Sequence, residues 1–118
     1  MEINQAIMAF SQSEKIKAGL IWASQVVEIY KALPEKDKPG AEKIIKAIVD
    51  MIGSEIPICK KSAPNELWIE VEKDIETATV MLHSNVAQEA GFHLTRALTK
   101  ATTIGQRSMT ILKDKGLL

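Results

Sequence analysis

Apolar residues recur along this chain at steps of three and four, the spacing that gathers side chains on one face of an α-helix. Ile16, Leu20, Ala23, Val27 and Tyr30 form the first stripe, which ends before Pro34, and Ser11 with Glu14 has the spacing of a capping box at its start. Ile3, Ile7 and Phe10 keep the same period ahead of it, so the helix begins near residue 3 or is preceded by a short helical arm within residues 1–12. The stretch "LPEKDKPG" then bends the chain, because each proline removes a helical donor and crowds the preceding turn.

Ala41, Ile44, Ile45, Ile48, Met51 and Ile52 give a second stripe that is expected to stop around Gly53 and Pro57, which makes the second helix the short one. After a linker "PICKKSAPNE", with Pro64 in the first turn of the third helix, a long third stripe runs through Trp68, Val71, Ile75, Ala78, Leu82 and Val86. From Phe92 the fourth continues through Leu94, Ala97, Leu98, Ala101, Ile104, Ile111 and Leu112 to Gly116, the residue type that closes a helix end. Nowhere does the pattern alternate with the period of two that a half-buried strand needs. The expected fold is all α, an antiparallel up-down-up-down four-helix bundle, because short connections make sequential helices neighbours that bury their stripes together.

A length of 118 residues sets this as one domain, residues 1–118, able to bury roughly 65% of its unfolded surface. Hydrophobic content of 46% with 25% charged residues is that of a folded globular chain. The single cysteine, Cys59, has no partner for an internal disulfide and suits a reducing compartment. The first residues, "MEINQAIMAF", lack a basic start, and no window approaches the ~20 apolar residues of a membrane span, so a cytoplasmic protein without membrane contact is expected. Trp22 and Trp68 fall on or beside apolar faces and read as core or subunit-interface residues.

Candidate chemistry concentrates in "MLHSNVAQEAGFHLTR", residues 81–96, which holds both histidines. Di-metal bundles require a Glu three residues before each ligating His, but Val80 and Ala90 stand there, and ten residues turn the two rings about 80° apart on a helix. Glu89 and His93, at i and i+4, fit an ion pair or a capping contact better than a ligand set. Ser84 beside His83 diverges by about 100°, too far for a nucleophile and its base. No glycine-rich phosphate loop, zinc helix or nucleophile elbow occurs. Gly91, costly inside a helix, is expected at a corner or a close helix crossing.

Fifteen acids and fifteen bases cancel overall, yet they are unevenly placed. Residues 62–91 carry six acids against one lysine, a net of −5, and residues 92–118 five bases against one acid, a net of +4. Arg96, Lys100 and Arg107, with Thr103, line one side of the fourth helix next to Thr95, Thr99, Thr102, Gln106 and Thr110. Such a face can hold an RNA or DNA backbone, or it can meet the acidic third helix of the same or a neighbouring subunit. No interleaved aromatic residues support base stacking.

Three segments carry a resemblance to a known family. "VVEIYKALPEKDK" is similar to a first helix running into a Leu-Pro-Lys turn, "IGQRSMTILK" to an Ile-Gly-Arg segment in a last helix, and "SNVAQEAG" to a Ser-Asn-Ile-Ala-Glu-Gly segment. The family is that of proteins encoded in large-subunit ribosomal RNA intervening sequences, with the related accessory variability determinant proteins of diversity-generating retroelements. The resemblance covers most of residues 16–113 and implies a non-enzymatic bundle that assembles into a ring, commonly a pentamer, and in one branch binds nucleic acid and a reverse transcriptase. The terminal Gly-Gly-Trp of the retroelement branch is missing here.

The expected function is therefore that of an oligomeric scaffold or accessory binding protein without enzymatic activity or cofactor. Nucleic-acid contact would fall on Arg96, Lys100, Thr103 and Arg107. The alternatives are a pure protein–protein adaptor, and a metal-holding bundle enzyme built on Glu72, Glu76, Glu89 and His93.

Overall fold

The computed structural model describes every residue except Asn85 and the side chain of Gln88. Helix α1 spans Ile3–Lys31, α2 Lys38–Ser62, α3 Leu67–His83 and α4 Ala87–Asp114, with a single 3-10 turn over Glu35–Asp37. Each helix packs on its neighbours in a closed ring, α1 on α2 and α4, α3 on α2 and α4. This is the all-α four-helix bundle that the stripes predict.

The contacts along each seam fix the directions. Ile52 lies over Gly19 and Glu55 meets Lys15; Ile75 lies over Gly53 and Glu72 meets Lys60; Lys100 meets Asp74 and Arg107 meets Glu66. Ser13 abuts Gly105 as Val27 abuts Gly91. In every seam rising numbers on one helix meet falling numbers on the next. The core runs the length of the bundle through Ile16, Leu20, Val27, Ile45, Val49, Ile56, Trp68, Val71, Leu82, Leu94 and Ile104. Each such side chain contributes about 2 kcal/mol of transfer free energy. Trp68 brings its polar edge in without penalty, since its indole N–H donates to the Ala63 carbonyl at 3.1 Å.

Several helix ends differ from the expectation. Helix α1 starts at residue 3 with no separate arm; the Glu2 N–H donates to Gln5 Oε1 at 3.2 Å, and Ser11 with Glu14 lies in mid-helix. Helix α2, at 25 residues, is longer than α3 at 17. Gly53 and Pro57 do not stop it, because Pro57 faces solvent and Ile56 and Cys59 beside it are fully buried, so packing outweighs one missing hydrogen bond. The segment "PICKKS" is therefore helix, and α3 begins only after Asn65, whose side-chain oxygen accepts the Leu67 N–H at 2.9 Å.

Helix α3 ends at His83 and not at Val86, where the Val86 N–H reaches back to the Met81 carbonyl at 2.9 Å. Gly91 sits inside α4, and a Cβ added there would meet only Val27 Cγ1, at an ordinary 3.7 Å; it marks neither a corner nor a tight crossing. The close crossing is at Gly105, where a Cβ would come within 2.9 Å of Ser13 Oγ. Gly116 does close α4, with φ at +73° and the Leu117 N–H donating to the Leu112 carbonyl at 2.8 Å. Among the described residues no helix is long and apolar enough to cross a membrane.

Candidate functional site

The basic row of α4 lies against the acidic row of α3. Lys100 Nζ is 2.7 Å from Asp74 Oδ2 and 3.9 Å from Glu70, Arg96 Nε is 3.8 Å from Asp74 Oδ1, and Arg107 is 3.6 Å from Glu66. Asp74 is buried, and the Lys100 ammonium donates to its carboxylate. Arg96 also stands over the Phe92 ring at 5.9 Å. Within the chain, this row meets the acidic side of the third helix.

The neighbouring hydroxyls are engaged as well. Thr95, Thr99, Thr102, Thr103 and Thr110 each donate to the carbonyl four residues back, at 2.8–3.1 Å. Their oxygens remain as acceptors, which a phosphate, itself only an acceptor, does not need. Thr103 thus shares a side with Arg96, Lys100 and Arg107 but offers no free donor.

The histidine stretch is not drawn into one site. His83 is exposed at the end of α3; His93 is half-buried, edge-on to Phe92 at 5.4 Å, with its Nδ1 buried and unpartnered. Glu89 turns to the cleft beside Lys31 and Lys38 and makes no ion pair with His93. Glu72 pairs with Lys60 of α2 at 3.0 Å and Glu76 faces the α2–α3 groove, so the four residues of the metal alternative are split between two seams. Among the described residues no three of His, Cys, Asp or Glu converge on one point. In the "SNVAQEAG" segment, Asn85 lies outside the described residues.

At the end of the bundle where α1 meets α2, the Tyr30 hydroxyl donates to Glu42 at 3.2 Å and Lys38 stands 5.6 Å over its ring. Burial raises the Tyr30 pKa, and the Glu42 and Glu35 carboxylates raise it further. Cys59 is buried, with Sγ 3.5 Å from Gln12 Oε1, and desolvation pushes its thiol up to about 11, which makes it a poor nucleophile.

The most distinctive surface was hidden in the stripes. Ile44 and Met51 read as core, yet they and Ile58 point outward, while Ile45, Ile52 and Cys59, one position on, fill the core. Trp22 and Ile29 of α1 come after Lys15 at steps of seven, Ile44, Met51 and Ile58 flank Glu55, and Lys15 meets Glu55 at 2.8 Å, so both rows border one seam. These five side chains are 51–66% exposed. The signal available in the sequence was the double row of Ile44–Ile45, Met51–Ile52 and Ile58–Cys59, wider than one core face requires.

No family model matches this chain, and no curated protein or solved structure matches it.

Proposed function

We propose that this protein is a non-enzymatic helical-bundle scaffold that works by binding protein, first of all a second copy of itself, through the outer face of α1 and α2. The observation that carries this reading is the makeup of that face. Ala18, Trp22, Gln25, Val26 and Ile29 on α1 and Ile44, Ala47, Ile48, Met51 and Ile58 on α2 bear no charge, and the charges the face holds, Lys15 and Glu55, neutralise each other. Depletion of charge around exposed aromatic and Met side chains is the compositional mark of an interface core. The five large side chains leave on the order of 600 Å² of apolar surface in water, at the top of what a monomer usually carries. Their steps of seven suit helix-on-helix packing, which a second α1–α2 pair would supply.

The engagement of Arg96, Lys100 and Arg107 by Glu66, Glu70 and Asp74 favours this reading over nucleic-acid contact on α4, because counterion release needs cations that are not already paired. Light scattering at micromolar concentration should return a multiple of the 13.0 kDa chain, and Met51→Glu should return the single chain. A wild-type protein that stays at one chain mass would end the self-association reading.

A further inference from the structure

A separate groove of about 510 Å³ lies on the other flank of α2, floored by Val49, Gly53 and Ile75 and walled by Asp50, Glu76 and Val80. Its polar groups share one property: all of them accept hydrogen bonds and none has a donor to spare. Pro57 has no N–H to give the Gly53 carbonyl, which is left without its ordinary helical partner. The Thr79 hydroxyl donates to the Ile75 carbonyl at 3.0 Å and the Ser54 hydroxyl to Met51 at 2.7 Å, so both present only lone pairs. Asp50 and Glu76 have no ion-pair partner among the described residues, whereas Glu72 beside them is paired with Lys60.

Gly53 keeps the floor open, since Ile75 Cγ2 lies 3.4 Å from where a Cβ would stand. The apolar character also continues beyond the groove. Ile69 and Val80 are both half-exposed or more and, with Glu76 between them, lie on one side of α3 over about 16 Å, the rise of eleven helical residues. An acceptor-only groove with an apolar floor, extended along a helix, complements a donor-rich cation on an apolar body. The geometry points to a second docking site here, for a basic amphipathic helix of a partner protein that lays apolar residues on Ile69 and Val80 and lysine or arginine against Asp50, Glu76 and the Gly53 carbonyl. This inference stands on residues apart from the α1–α2 face and survives if that face proves idle.

The test is calorimetric titration of the full chain with a synthetic helix of leucine and lysine at steps of three and four, against its leucine–glutamate counterpart. The lysine peptide should bind saturably at one per chain, more weakly as salt rises, and the glutamate peptide should not bind. Gly53→Leu, which fills the floor, and Glu76→Lys, which reverses a wall charge, should each weaken binding about tenfold, near the scale of one good contact. Glu28→Lys, the same charge reversal on α1 away from the groove, should leave it unchanged. Equal binding of both peptides, or wild-type affinity in a folded Glu76→Lys protein, would overturn the assignment whatever Gly53→Leu does to the fold.

Discussion

Against α4, helix α1 presents Ala6, Ala9 and Ser13, and α4 answers with Ala101, Gly105 and Ser108, all buried. Against α2, the same helix is edged by Trp22 and Ile29, and α2 by Ile44, Met51 and Ile58, all largely in water. Small residues let two backbones approach until nothing is left at the margin to cover. Bulky apolar residues hold a seam from inside but leave an outer edge that water should not see. One helix thus closes one of its seams within the chain and leaves apolar side chains exposed along the other, the face proposed above for a partner.

The sharpest way to break this contrast is to spoil the closed seam. Gly105→Leu places a branched side chain where even a Cβ lies 2.9 Å from Ser13 Oγ, so α1 and α4 must part. The expected loss is about 3 kcal/mol. A thermal melt should show it as a midpoint lowered by about 10 °C.

The open seam should answer in the opposite way. Trp22→Ala removes a side chain that is 66% exposed, so chain stability should move by only about 0.5 kcal/mol. Self-association should weaken by about 2 kcal/mol, as for a central interface aromatic, which sedimentation at several concentrations would register. Equal losses in folding and assembly would erase the distinction between the seams.

The smallest effect concerns the inner side of that same seam, where Cys59 faces Gln12. The native chain holds the thiol proton up to about pH 11 against an ordinary 9.0, so stability from this burial is complete below pH 9 and is lost as pH climbs towards 11. Iodoacetamide at pH 8 should label the native protein far more slowly than the urea-unfolded chain. Rapid native labelling would mean that the seam opens.

How far the fold could be read from the chain depends on which forces are local. The four stripes gave the helices, since burial with a period of 3.6 leaves a direct trace. Helix ends were harder. Pro57 looks like a stop, and only the burial of Ile56 and Cys59 on either side explains why it is not. Gly91 looks like a hinge and Gly105 does not, yet the tight contact is with Ser13, a residue 92 positions away whose proximity no local pattern announces. The basic row was legible residue by residue, but its partners were not. Glu66, Glu70 and Asp74 recur at steps of four on a different helix, and their meeting with Arg107, Lys100 and Arg96 depends on the register between α3 and α4.

The two tryptophans divide along the same line as the seams. Trp68 is sealed in the core with its N–H engaged by Ala63, while Trp22 stands in solvent on the α1–α2 face. Their emission is therefore separable by colour and by access to a dissolved quencher. Unfolding changes the surroundings of the first, and association at this face changes those of the second. The chain thus holds two intrinsic optical reporters, one for its own integrity and one for the association proposed at this face.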